Sequence, residues 1–322
     1  MKIIAELCQN HNGDPGLVRE MVAAAAESGA THVKLQTIHA SRLAYRPQFE
    51  RGLEVDGVVK AVRRPYADER ARLEPLELDA ATVVAFVGQA RDLGLVPLTT
   101  CFTRGDVDVI AGLGFGEVKV ASYDCASFPM LRELAERFEQ LYVSTGASFD
   151  DEIRHAASVL EGRCRFALLH CVTMYPTPLG QAHLARMRWL RTLAPTVGFS
   201  DHTLYARDDL AASRAAIALG AQVVERHFTV LPPDRTKDGP VSVDPEGLAR
   251  LVAFSHLSRE DQEASLAADG VDLELLEGEI HRRLNDQELL NRDYYRGRFA
   301  TPRDGGSQRA TAMIFNWEET PL

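Results

Sequence analysis

Between Ile3 and His227 the chain alternates eight short β-type apolar runs with stretches of helical periodicity, and this alternation restricts the fold more than any other feature. The runs are Ile3–Leu7, His32–Thr37, Leu95–Thr100, Glu117–Ala121, Leu141–Ser144, Phe166–His170, Thr196–Ser200 and Gln222–His227. Between them, Leu17, Met21, Ala25 and Ser28 fall on one helical face. Leu131, Leu134 and Phe138 do the same, with Ser127 in position to cap that helix. With a last helix starting near Pro245, the pattern predicts an α/β fold, specifically a (β/α)8 TIM barrel. A doubly wound open sheet shares the alternation, so the period favours the barrel without excluding the alternative.

Two regions break the repeat. Residues 38–77 are long, charged and proline-containing. In a barrel such a βα loop lies at the catalytic end, so a lid or substrate loop is expected. The barrel domain is expected over 1–257 and a short C-terminal extension over 258–322, with a charged helical stretch at Asp272–Leu290 and a Gly/Arg-rich segment before Trp317. The extension reads as an appendage or an oligomerisation arm.

Of the 322 residues, 45% are hydrophobic and 25% charged, which suits a soluble globular chain. The net charge of −10 argues against a nucleic-acid partner, which needs a basic face. Anionic small molecules remain open, because a few lysines in a cleft reverse the local field. Cys8, Cys101, Cys125, Cys164 and Cys171 form no CxxC pair and leave one over in any disulfide scheme, so reduced thiols and a cytoplasmic location are expected. Glu6 comes too early for a signal peptide, and no apolar run reaches the roughly 20 residues of a membrane helix.

Polar side chains gather at the C-terminal ends of the runs, where barrel enzymes carry their sites. Period-two alternation puts Lys34 and Gln36 on the side facing the barrel interior. A lysine there needs an anion, either a bound one or a structural partner such as Glu6. Lys119 and Ser122 repeat the pattern in the fourth run. Two interior lysines, with the hydroxyls of Thr100, Ser122, Ser144 and Ser200, suit a phosphate or carboxylate. Ser144-Thr145-Gly146 would add backbone donors at a helix N-terminus. His202 follows the seventh run and His227 ends the eighth, so adjacent strands bring them together. Two imidazoles with open positions suit Mn²⁺ or a similar first-row ion. A histidine at a strand end is as readily a packed, hydrogen-bonded residue.

The segments AELCQNHNGD (5–14), VKLQT (33–37), PLTTCF (97–102), VKVAS (118–122), STG (144–146), LLHCVTMYPTP (168–178), GFSDHT (198–203) and VERHFT (224–229) resemble, in order and spacing, the N-acetylneuraminate (sialic acid) synthase family, which includes the legionaminic and pseudaminic acid synthases. The resemblance covers roughly residues 1–250. It implies an enzyme that joins C3 of phosphoenolpyruvate to an aldehyde sugar and releases phosphate, giving a 2-keto-3-deoxy acid. By position it implies Lys34, Thr100, Lys119, Ser122, Ser144, Thr173 and Ser200 for phosphoenolpyruvate. It implies His202 and His227 for a divalent metal, Mn²⁺ foremost, with Mg²⁺ and Co²⁺ as alternatives. Glu6, Gln36, Asp124 and Tyr175 would face the acceptor, Glu6 also as a candidate for moving a proton.

The chain departs from the family at Thr173-Met174, at Tyr123-Asp124 and around Asp238, which stands in for the family's acid with shifted spacing. The family's C-terminal antifreeze-like domain is not expected here. In the family that domain supplies a sugar-reading arginine from a dimer partner. A homodimer is therefore implied, and an arginine of the tail (Arg292, Arg296 or Arg298) either reaches a neighbouring subunit's site or belongs to a solvated basic tail. Two other readings compete: a metal-dependent pyruvate aldolase or other barrel lyase or hydrolase, and a non-catalytic paralogue binding a sugar or phosphorylated ligand. The paired lysines favour an enolpyruvyl phosphate over the first. Retention of every metal and phosphate side chain argues against the second.

Overall fold

Each apolar run forms a strand in the computed structural model, whose described residues are 1–303 and 312–322. The strands are β1 (Lys2–Cys8), β2 (His32–Gln36), β3 (Val96–Cys101), β4 (Glu117–Val120), β5 (Gln140–Ser144), β6 (Arg165–Cys171), β7 (Thr196–Asp201) and β8 (Val223–His227). They pair in sequence order, all parallel, and β8 closes on β1 with His227 beside Glu6. Closure decides for the TIM barrel over the open sheet.

Alternation along the strands sorts their side chains into two cores. Ile3, Ala5, Leu7, Val33 and Leu35 point outward into the main core beneath the helices. Ile4, Leu98, Tyr142, Ala167, Leu169 and Val223 point inward and form a separate apolar plug. At Gly198, in β7, a Cβ would lie 2.3 Å from the Val223 carbonyl oxygen and 2.6 Å from Leu169 Cδ2, so the plug admits only glycine there. One step further along the strands the inward residues turn polar: Glu6, Lys34, Thr100, Lys119, Ser144, Ser200 and Glu225.

Helices follow the strands as the periodicity requires. α1 (Pro15–Glu27) starts on Asp14, whose carboxylate accepts from Gly16 N (2.7 Å), and buries Val18, Met21, Val22 and Ala25. α2 (Ala80–Asp92) follows the long second loop. Ser127 precedes α3 (Phe128–Arg137) as expected, but its hydroxyl donates to Asp124 Oδ1 (3.1 Å) and does not cap the helix. A buried carboxyl needs that donor more than a helix end, which water or a neighbouring turn can serve. The last barrel helix, α4 (Pro245–Ser255), begins where the sequence placed it.

The long loop and the tail meet over the C-terminal end of the barrel. Residues 38–77 hold a hairpin (Leu53–Val55 with Val58–Ala61) and the helix Tyr66–Leu73. The tail holds Arg259–Ala268, Leu273–Glu277 and Asp286–Tyr295. The single helical stretch expected at Asp272–Leu290 is therefore two helices. Gly278, at φ 50°, ends the first, and Asn285 with Glu288 forms a capping box for the second. Phe49 meets Tyr294 edge-on at 5.1 Å, and Arg46 donates to the carbonyls of Tyr294 (2.5 Å) and Arg296 (3.0 Å). These contacts clamp the loop to the tail. Most of the Gly/Arg-rich segment lies outside the described residues. Among the described residues, no helix is long and apolar enough to cross a membrane.

Candidate active site

Above the apolar plug the barrel opens into a cavity of about 360 Å³, lined from strand ends, the long loop and the tail. Its floor is a charged network. Lys34 Nζ donates to Thr100 Oγ1 (3.1 Å), pairs with the Glu6 carboxylate and lies 3.6 Å from Glu225 Oε2. Lys119 Nζ donates to Ser144 Oγ (2.7 Å) and lies 3.5 Å from Glu225 Oε1, which also accepts from Ser200 Oγ (2.8 Å). Both readings of Lys34 thus meet at one place: it has Glu6 as a structural partner, and it faces the cavity.

Burial drives the Lys34 pKa down to about 7, an effect that Glu225 opposes and Lys119 reinforces. Burial alone would raise Glu225, but Lys119 and Lys34 outweigh it and hold the carboxyl at about 2. Two lysines therefore share two carboxylates in a buried floor. An arriving anion must compete for lysines that are already compensated, and the four hydroxyls nearby help it do so.

One wall carries the histidines. Their ring centroids lie 5.3 Å apart, and the Tyr175 ring sits 4.1 Å from His202. Burial, then His227, lowers His202 to about 3, and burial lowers His227 as well, so both rings are neutral and each has a lone pair to give. His202 Nδ1 is 3.1 Å from the Val172 carbonyl, which fixes the tautomer that leaves Nε2 free. His227 Nδ1 is buried with no hydrogen-bond partner among the described residues. Cys8 Sγ, a His227 ring nitrogen and an Asp238 oxygen lie within 4.8 Å of one another. Neutral imidazoles, an orphaned ring nitrogen and a nearby carboxylate fit a first-row divalent ion.

The opposite wall carries Asp124, which is 8% exposed and accepts from Asn316 Nδ2 (2.8 Å) and Ser127. Burial raises its pKa to about 6 despite those donors. Tyr123 stacks on Tyr295 of the tail at 4.8 Å. Gly146 packs where a Cβ would lie 2.7 Å from Thr173 Cγ2 and 2.9 Å from Ser122 Oγ.

Of the candidate residues, Glu6, Lys34, Gln36, Thr100, Lys119, Ser122, Asp124, Ser144, Tyr175, Ser200, His202, His227 and Asp238 all line this cavity. Thr173 does not. It lies behind the wall under Gly146, fully buried, with the Asn291 side chain donating to its carbonyl at 2.7 Å. Nor does Ser144-Thr145-Gly146 open a helix. Thr145 N–H is spent on the Leu169 carbonyl, and the next helix starts only at Asp150. Of the tail arginines, Arg292 donates to the Ala147 carbonyl and pairs with Glu152, and Arg296 also pairs with Glu152. Arg298 alone of the three lines the cavity, and it is the cavity of its own chain. The sequence reading missed Glu225, although it lies in phase with Val223 and His227. It also missed Arg72 and Lys237, which sit in loops where no period marks direction.

The family model described as the NeuB family matches residues 21–263. The chain belongs to the NeuB family. The N,N'-diacetyllegionaminic acid synthase of Campylobacter jejuni is 33% identical over 265 residues, spanning 77% of this chain and 73% of that protein. The spore coat polysaccharide biosynthesis protein SpsE of Bacillus subtilis has a solved structure with a TM-score of 0.69 at 24% identity, covering 91% and 77% of the two chains. The N-acetylneuraminic acid synthetase of Leptospira borgpetersenii superposes with a TM-score of 0.66 at 24% identity, over 90% of each. These structural likenesses establish the fold. Curated NeuB relatives are named synthases, and this chain is an enzyme of that family.

Proposed function

We propose that the chain condenses phosphoenolpyruvate with an aldehyde sugar to give a 2-keto-3-deoxy acid and inorganic phosphate. The observation that carries this reading is the pair of buried lysines, ringed by hydroxyls, on the floor of the cavity whose wall carries two neutral histidines. Its NeuB membership supports it.

Lys34 and Lys119, with Thr100, Ser122, Ser144 and Ser200, hold the phosphate and carboxylate of phosphoenolpyruvate and fix its C3 toward the histidine wall. His202 and His227, with Asp238 beside them, would hold a first-row divalent ion, Mn²⁺ being the one the family resemblance puts first. When bound, such an ion supplies Lewis-acid polarisation of a carbonyl oxygen. C3 attacks the aldehyde carbon, and the aldehyde oxygen takes a proton to become a hydroxyl. Water then adds at C2, the C2–O bond to phosphate breaks, and phosphate leaves with that oxygen. Glu6, already bonded to Lys34 and accepting from Cys8 N (2.5 Å), is placed to move a proton beside the reacting carbons.

Consumption of phosphoenolpyruvate with Mn²⁺ and a panel of aldoses and N-acetylated hexosamines, with and without EDTA, tests the reading. Acceptor-dependent, EDTA-sensitive phosphate release is expected. Use of pyruvate in place of phosphoenolpyruvate would replace it with the aldolase reading.

A further inference from the structure

The histidine wall has one neighbour that the chemistry above does not use, the thiol of Cys8. Cys8 is the last residue of β1 and is fully buried. The pairing of β1 with β2 slips just before it: Glu6 faces Lys34 and Cys8 faces Leu35, so Leu7 is skipped, and Cys8 takes a φ of 40°. Left-handed backbone is costly for a residue with a Cβ, and a bulge beside a site re-aims a side chain. Cys8 Sγ ends within 4.8 Å of a His227 ring nitrogen and an Asp238 oxygen. A cysteine kept only for packing has no advantage at this position, because glycine takes up the same backbone without the cost.

The three donors come from the end of β1, the end of β8 and the loop that follows it, and one buried asparagine pins these segments together. Asn10 donates through Nδ2 to the Phe228 carbonyl (3.0 Å), next to His227, and to Ser242 Oγ (2.9 Å). Ser242 Oγ in turn donates to the Asp238 carbonyl (2.7 Å). Gly239 closes the loop so tightly that a Cβ there would lie 2.1 Å from the Pro233 carbonyl oxygen. Hydrogen bonds among protein groups alone thus hold the cluster in place, which is the preorganisation an ion site needs. His227 gives a second sign. It is 6% exposed, and its Nδ1 is buried with no hydrogen-bond partner among the described residues. An orphaned imidazole nitrogen is unfavourable unless a ligand takes it up. Thiol, imidazole and carboxylate in one small space suit a thiophilic divalent ion better than Mg²⁺ or Mn²⁺, which favour oxygen donors.

We propose that Cys8 is a thiolate ligand of the metal at this site, together with His227 and Asp238, and that the centre favours thiophilic divalent ions. This rests on the reading of the histidine wall as a metal site and adds a donor that the reading does not contain. Burial, then Asp238, keeps the thiol protonated before an ion arrives. Binding releases that proton to solvent, and the dication meets the negative charges of thiolate and carboxylate.

The test strips the full chain with a chelator and titrates it anaerobically with Co²⁺, following near-ultraviolet absorption. Stoichiometric Co²⁺ should bring up an intense sulfur-to-cobalt charge-transfer band. Cys8→Ser and Cys8→Asn should both abolish it; asparagine tolerates the left-handed backbone and guards against a folding defect in the serine variant. Cys171→Ser should keep the band, although Cys171 Sγ lies 3.7 Å from His202 Nδ1. In competition titrations followed by the electron paramagnetic resonance of Mn²⁺, Cys8→Ser should weaken Cd²⁺ binding by about a hundredfold and Mn²⁺ binding by no more than about threefold. Uptake of Co²⁺ with no such band, or a band that survives in both Cys8 variants, would overturn the proposal and leave the histidine site standing. Failure of Co²⁺ to bind at all would overturn both.

Discussion

On the barrel floor the decisive fact is that two lysines and two carboxylates are buried together, 3.5 to 3.6 Å separating Glu225 from each lysine. Removing one member leaves a charge uncompensated in a buried site, which costs about 3–5 kcal/mol. Lys119→Met should therefore lower unfolding stability by that order in urea titrations, and abolish phosphoenolpyruvate binding by calorimetry. Asp124 offers a test by pH. Its carboxyl is raised from 3.8 to about 6 in the folded chain, so its protonated form is the one folding favours. The stability it contributes is complete below pH 4, is lost between pH 4 and 6, and totals about 3 kcal/mol. In urea melts, Asp124→Asn should gain on the wild type by that amount on going from pH 4 to pH 7. An equal gap at both pH values would show that Asp124 titrates normally. The inward direction of Lys34, Lys119 and Ser200 was legible because a strand's period of two fixes it. The placement of Thr173 away from the cavity lining was not legible, because it lies past the end of β6, where period no longer tells which way a side chain points.

Among the elements, the strands were readable because each is a short apolar run between helical stretches, and closure into a barrel places helices over all of them. The tail was less so. Asp272–Leu290 has the composition of one charged helix, yet Gly278 and the Asn285–Glu288 pair divide it, and that capping signature was available in the sequence. The clamp between the long loop and the tail rests on Phe49, Tyr294 and Arg46, residues with no local signal of their pairing. Tyr294→Ala removes a ring that is 4% exposed and should cost about 3 kcal/mol of local packing. Limited proteolysis should then cut within residues 38–77 several-fold faster, with the barrel itself resistant. Unchanged cleavage would show that the loop is held by something other than the tail.

For the whole molecule, a net charge of −10 coexists with a cavity that gathers six basic side chains, Lys34, Arg64, Arg72, Lys119, Lys237 and Arg298, over the C-terminal end of the barrel. The histidine wall makes a further demand at this scale. His227→Ala should remove stoichiometric Mn²⁺ binding, measured by electron paramagnetic resonance of the free ion, with phosphoenolpyruvate still bound by the floor. Retained Mn²⁺ would move the metal elsewhere. The central claim is the condensation itself, and phosphoenolpyruvate labelled with ¹⁸O in its bridging C–O–P oxygen tests it most directly. With Mn²⁺ and an accepted aldehyde, mass spectrometry should show a 2-keto-3-deoxy acid, with the label in the released phosphate. Label-free phosphate, or phosphate released with pyruvate and no new carbon–carbon bond, would contradict the account.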